Sequence, residues 1–180
     1  MTTHYVNVEP GKNQSDAVIG AVWTLVHWHL TRTNNTGIGI SFPRRETNHR
    51  FIDAIRLHGS LQSMTDVRLA LMNSPLMTQG EKIAMTAVLP TPELVHHVVV
   101  HRSQAFTGRA KFMREAGMTQ AQATEKLGYR RLPLSVGLFS RSTGQKFYLT
   151  PVQTVVDAPM AGTFNTYGFG SNRSATVPFF

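Results

Sequence analysis

The chain contains no cysteine, so neither a disulfide framework nor a thiolate metal site is open to it, a composition that fits a reducing cytoplasm. Acidic residues are scarce, ten against eighteen Lys and Arg, and they form no cluster of the kind that holds Mg²⁺. A phosphate-cradling loop of the GxxxxGK type is missing. No apolar run reaches about 18 residues and the first residues lack a basic-then-apolar leader, so neither a membrane span nor a secretion signal is expected. Internal repeats and low-complexity tracts are absent as well.

What is present is a foldable chain. Its 180 residues, 41% of them apolar, suffice for one core or two small ones and argue against disorder. The net charge of +8 is unevenly placed. Between Leu94 and Lys146 nine cations face only Glu115 and Glu125, a balance of +7, while the rest of the chain carries nine cations and eight anions. Such an asymmetry suits a second half that faces a polyanion, although a solvated basic face gives the same count.

Periodicity predicts an α+β fold in two modules. Thr3 to Glu9 alternates as a strand, Ser15 to Leu30 reads as a helix capped by Ser15, and Ile38 to Phe42 is a short apolar strand. Phe51 to His58 is a further strand, Leu61 to Met72 a helix, and Lys82 to Leu89 a strand ending at Pro90. This βαββαβ order is the ferredoxin-like arrangement of RNA-recognition folds, and it assigns residues 1–92 to an N-terminal ferredoxin-like (RRM-like) domain. The stiff segment Leu89-Pro90-Thr91-Pro92 is the expected joint. Residues 93–180 form the smaller basic domain: a strand from Leu94 to Arg102, a basic stretch from Thr107 to Ala116, a helix from Thr119 to Leu127, then a hairpin and a tail.

The hairpin is the most informative segment. Phe139-Ser140-Arg141-Ser142-Thr143-Gly144-Gln145-Lys146-Phe147 gathers two hydroxyls, two cations and a ring around a Thr-Gly turn. In extended backbone Ser140 and Ser142 share one face. A hydroxyl suits a 2′-OH, a cation a phosphate and a ring a base, as RNA contact requires. A plain hairpin rich in Ser and Thr accounts for the same residues taken alone.

The first helix offers the candidate general base. His29 lies with Val22, Leu25 and Val26, an apolar stripe expected to turn inward. His27 lies with Gly20, Thr24 and Thr31, one turn after Trp23, on a smaller and more polar face expected to be open to substrate. Imidazole works near neutrality as base or acid, yet a lone helical histidine is commonly structural. His97 and His101 share a strand face but lack a nearby carboxylate and a third ligand, so no metal or other cofactor is expected. Without a metal cluster, phosphodiester cleavage would have to use the 2′-OH of RNA.

Taken with the linker Arg102-Ser103-Gln104-Ala105, the strand Gly37-Ile38-Gly39-Ile40-Ser41-Phe42-Pro43 and the closing Tyr167-Gly168 and Val177-Pro178-Phe179-Phe180, these motifs resemble the CRISPR RNA-processing endoribonucleases of type I-F systems, nearly end to end. The resemblance implies that His27 abstracts the 2′ proton, Ser140 fixes the 2′-OH, Ser142 supports phosphate or ribose, and Tyr167 orients the histidine. It implies that Arg102 and Gln104 read base edges at the foot of a hairpin stem, where Arg suits guanine and Gln adenine. Phe147 corresponds to a ring stacked on the terminal base pair, and Arg109, Lys111 and Arg114 to a basic helix lying in the RNA groove. Ala110, Phe112 and Met113 interrupt that run and Glu115 follows it, which implies either a weaker hold on the hairpin or groove contact spread onto Lys126, Arg130 and Arg131; Arg141 and Lys146 complete the basic set.

The implied activity is metal-independent cleavage of CRISPR precursor RNA at the base of the repeat hairpin. The products would be a 2′,3′-cyclic phosphate or 3′-phosphate and a 5′-OH. The implied partners are the repeat hairpin, the mature crRNA and the other subunits of a type I-F interference complex, with no membrane. Two other readings of the residues stand beside it: a non-catalytic RNA-hairpin-binding subunit, and a basic structural protein of a ribonucleoprotein.

Overall fold

The computed structural model describes residues 2–11, 16–43, 52–78, 83–93, 95–103, 117, 119, 122, 135–140, 143–171 and 174–180. The architecture is mixed α+β with antiparallel sheets. The first sheet is built from β1 (His4–Pro10), β2 (Gly39–Ser41), β3 (Ile55–Gly59), β4 (Ile83–Met85) and β5 (Leu89–Pro90), in the order β2-β3-β1-β4 with β5 also on β1. Two long helices accompany it, α1 (Asp16–Thr33) and α2 (Leu61–Met72), followed by the short α3 (Pro75–Thr78). The second sheet has the order β10-β6-β9, from β6 (His96–Arg102), β9 (Pro151–Val156) and β10 (Val177–Phe179). The hairpin of β7 (Val136–Phe139) and β8 (Lys146–Leu149) stands as a two-stranded ribbon.

The helices form where apolar spacing and caps demand them. Ile19, Val22, Val26 and Leu30 of α1 are buried at intervals of three and four, one stripe of a 3.6-residue period. In α2 the buried set is Met64, Val67 and Leu71, and the Ser60 hydroxyl accepts the Ser63 amide at 3.1 Å. That bond satisfies a first-turn N–H that has no partner within the helix. Ser15, the expected cap of α1, lies outside the described residues. Thr119 and Gln122 exchange the reciprocal bonds of a capping box; the rest of the helix expected to start there is not described.

The expected strand from Lys82 to Leu89 divides into β4 and β5. Val8 faces Met85 while Tyr5 faces Leu89, so one extra residue is accommodated on the β4–β5 side. At this bulge Thr86 replaces the regular ladder, its hydroxyl accepting the Asn7 amide at 3.0 Å and its own amide bonding the Asn7 carbonyl. Pro90 ends the strand as expected, and as its last residue still faces His4. The strand expected from Phe51 begins at Ile55, and β9 and β10 extend the second sheet beyond what was expected of the tail.

One continuous apolar cluster joins the first sheet and helices (Val6, Trp23, Ile40, Leu57) to the second half (Val98, Leu138, Leu149, Phe169, Val177). Arg56 on β3 ties the closing strand to it. The guanidinium lies 4.0 Å from the Phe180 ring centroid and donates to Asn7 Oδ1 and the Phe180 carbonyl.

His58 is wholly buried in β3, its Nε2 2.8 Å from Ser41 Oγ. Burial, aided by the Arg56 charge, pushes its pKa down to about 3. The native ring therefore stays neutral where the unfolded chain takes up a proton, between pH 6.5 and about 3. Stability is expected to fall as pH drops through that window, by on the order of 1 kcal/mol per pH unit. His29, also lowered chiefly by burial, contributes with the same sign. Urea midpoints at pH 7 and pH 4.5 test this: His58→Gln, which retains a group able to bond Ser41, should flatten the dependence. An unchanged slope would show that His58 does not carry it.

Candidate functional site

Three elements meet around His27: the middle of α1, the β7–β8 hairpin and the tail turn from Asn165 to Gly170. The meeting of α1 with β7 depends on two small side chains. A Cβ on Gly20 would sit 2.0 Å from the Gly137 carbonyl oxygen, so helix and strand approach backbone to backbone only because residue 20 is glycine. One turn later, Thr24 Oγ1 donates to the Gly20 carbonyl at 2.8 Å and accepts the Phe139 amide at 3.3 Å. The strand end carrying Ser140 is thereby fastened one helical turn before His27.

The tail turn holds the histidine from the other side. Asn165 Oδ1 accepts the amides of Tyr167 and Phe169, and the Gly168 amide bonds the Asn165 carbonyl. Gly168 has φ +79°, and a Cβ there would press on Ile40 at 3.0 Å, so glycine serves both the left-handed turn and its seat on β2. Trp23 Nε1 donates to the Tyr167 carbonyl at 3.0 Å. The result is a parallel stack of the His27 and Tyr167 rings, centroids 4.0 Å apart with 5° between planes.

His27 Nδ1 lies 3.0 Å from the Thr166 carbonyl oxygen. A carbonyl only accepts, so Nδ1 carries the hydrogen and, in the neutral ring, Nε2 is left as the basic atom. Burial raises the Tyr167 phenol pKa, and the Arg102 charge opposes that shift, so Arg102, exposed at the end of β6, acts on the same locus. Phe147 is half-buried and meets Tyr167 edge-on at 6.2 Å. In the turn, Ser140 Oγ accepts the Thr143 amide at 3.3 Å, and the Ser140 carbonyl accepts that of Gly144, whose φ is +66°. Lys146 is exposed, with Nζ 5.5 Å from the Tyr148 ring centroid.

Of the expected site residues, His27, Tyr167 and Phe147 thus form a chain of ring contacts. Ser140 adjoins them through Phe139 and Thr24, Arg102 through its charge, and Lys146 follows on β8. Ser142, Gln104, Arg109, Lys111, Arg114, Arg130, Arg131 and Arg141 lie outside the described residues. His29 is buried, as its apolar stripe predicts. Trp23, expected near an open face, is also wholly buried, because Phe42 and Phe169 pack edge-on against it at 5.5 Å. Asn165 and Thr166 belong to the tail segment that the sequence marks beside Tyr167, but no spacing rule gives them their roles of building the turn and holding His27 Nδ1.

Among the described residues no group of three or more His, Asp or Glu side chains is placed to hold a metal ion, and no helix is long and apolar enough to cross a membrane. The arrangement is an imidazole with a fixed tautomer, a hydroxyl-bearing turn and cations at one edge. Such a set suits proton transfer beside a phosphate. Comparison with curated proteins gives no match. The model of a family described as CRISPR-associated protein (Cas_Csy4) matches residues 5–180.

Proposed function

The chain belongs to the Cas_Csy4 family, CRISPR-associated endoribonucleases of type I-F systems that bind and process repeat RNA, and on that premise we propose that it cuts the precursor transcript at the base of each repeat hairpin without a metal ion. His27 Nε2 removes the 2′ proton, the 2′ oxygen attacks the adjacent phosphorus in line, and the 5′ oxygen leaves and is protonated. The products are a 2′,3′-cyclic phosphate, open to hydrolysis to a 3′-phosphate, and a 5′-OH. Ser140 positions the 2′-OH, Ser142 supports the phosphate or ribose, and Tyr167 keeps the imidazole in its plane. Aligning the nucleophile is worth several kcal/mol in such a reaction. The observation that carries this reading is the His27 tautomer: Nδ1 is held by the Thr166 carbonyl and the ring by Tyr167, which leaves Nε2 as the base.

The same reading gives Arg102 and Gln104 the bases at the foot of the stem, and Phe147 the terminal base pair. Arg109, Lys111, Arg114, Arg130, Arg131, Arg141 and Lys146 take the phosphates. The helix–strand order and the β2-β3-β1-β4 sheet support a ferredoxin-like module over residues 1–92, with a basic RNA-binding module over 93–180. The protein keeps the cut hairpin and joins the other subunits of a type I-F interference complex in the cytoplasm.

Base readout and phosphate contact separate by salt. Removing the charge of Arg109 or Arg114 should weaken binding to all hairpins and reduce the salt slope by about one, whereas Arg102→Ala should cost about 1–3 kcal/mol only on the correct stem base. Titrations of cognate and stem-base-altered hairpins at several salt concentrations measure both. A uniform loss from Arg102→Ala would contradict its assignment to base reading.

A further inference from the structure

The β7–β8 hairpin has an exposed face of which the proposed function uses only Lys146, for phosphate contact. Its register pairs Phe139 with Lys146 and Gly137 with Tyr148. Because directly paired residues share a face and neighbours alternate, these four lie together, opposite buried Val136, Leu138 and Leu149 and half-buried Phe147. Phe139 is 53% exposed and Tyr148 58% exposed. Two aromatic rings with more than half their surface in solvent, on adjacent strands, are a departure from ordinary burial.

The details of the face indicate its occupant. Lys146 stands between the rings in the ladder and lies over Tyr148. Gly137 makes room for both, since a Cβ there would come 2.8 Å from Lys146 Cε and 3.3 Å from Tyr148 Cε1. Lysine is depleted from the cores of protein–protein interfaces, whereas rings interleaved with a cation are what a polyanion with stackable bases requires. The chain's +8 charge favours the same partner. The face is also continuous with the candidate cleavage site: Phe139 directly precedes Ser140, and its amide is bonded to Thr24 on α1, one turn before His27.

We propose that Phe139, Lys146 and Tyr148 form a stacking platform for unpaired RNA that runs on from the base of the hairpin stem. The inference rests on the hairpin-nuclease reading and adds a second contact to it: the end of the paired stem at half-buried Phe147, and single-stranded flank on the exposed face of the ribbon. Stacking tolerates any base, so this platform would accept varied flanking sequence.

The test uses two hairpins, each with a 2′-deoxy residue at the scissile nucleotide. One is trimmed to the stem, and the other carries about ten unpaired nucleotides beyond its base, within the span a single-strand site covers. The wild-type chain should bind the flanked RNA about tenfold more tightly or better, the return expected from one or two stacked bases. The double variant Phe139→Ala/Tyr148→Ala should lose that advantage, while Phe139→Tyr/Tyr148→Phe, which keeps both rings, should retain it. An advantage that survives in the double alanine variant, or is absent from the wild-type chain, would overturn the platform. Failure of the wild-type chain to bind either hairpin would overturn the nuclease reading and the platform with it, a result distinct from loss of the flank effect alone.

Discussion

His27→Ala is expected to cut the repeat hairpin on the order of 10³-fold more slowly than the parent chain, because removing a positioned general base costs 10²–10⁴ in rate. Hairpin affinity should change by less than about 1 kcal/mol, roughly fivefold, since the groove and stem contacts assigned here involve other residues. The substitution is structurally mild. His27 is only half-buried, and a ring stack such as that with Tyr167 is worth about 0.5–1.5 kcal/mol. Single-turnover cleavage beside equilibrium binding separates the two effects. Full cleavage by His27→Ala, with loss in His29→Ala, would move the base to the other histidine despite its burial.

Gly20→Ala should be nearly as damaging, against the usual sign of that change. In a helix interior alanine is favoured over glycine by about 1 kcal/mol. Here the added Cβ would sit 2.0 Å from the Gly137 carbonyl oxygen, a backbone atom with no rotamer to yield, so α1 and β7 must separate. Overpacking of this kind costs about 1–3 kcal/mol in stability. The larger effect is functional, because separation moves His27 away from Ser140. A displacement near 1 Å lowers rates by about 10²-fold. Cleavage of saturating RNA, measured well below the variant's unfolding midpoint, should show that loss while the hairpin still binds. Unimpaired cutting would mean that the helix–ribbon contact does not set the site.

The sequence made the local parts of this fold legible and left the long-range parts obscure. The run from Leu61 to Met72 predicts α2 with its bounds from its apolar period, and the structure adds the Ser60 cap that fixes its start. The division of β4 from β5 was hidden, since it turns on Thr86 bonding the amide of Asn7, distant in the chain. The strands β9 and β10 were hidden for a similar reason: Val177–Phe179 is three residues long and is a strand only because it lies against β6.

The same contrast holds at the candidate site. Helical spacing put His27 with Gly20 and Thr24, which do share one interface. Spacing could not reveal that this face is covered by the tail turn, so Trp23 was expected near solvent. Nor could it reveal that the partner of His27 Nδ1 is a backbone carbonyl, Thr166; every residue type supplies one, and side-chain patterns are silent about it.

The most direct test of the account is cleavage of the cognate repeat hairpin in excess EDTA, beside the same RNA carrying one 2′-deoxy residue at the scissile nucleotide. The account predicts undiminished cutting of the unmodified strand, a cyclic or 3′-phosphate end, and no cutting of the deoxy strand. Cleavage that stops with EDTA, or that proceeds without the 2′-OH, would contradict it; tight binding with no cleavage would leave a hairpin-binding subunit in place of a nuclease.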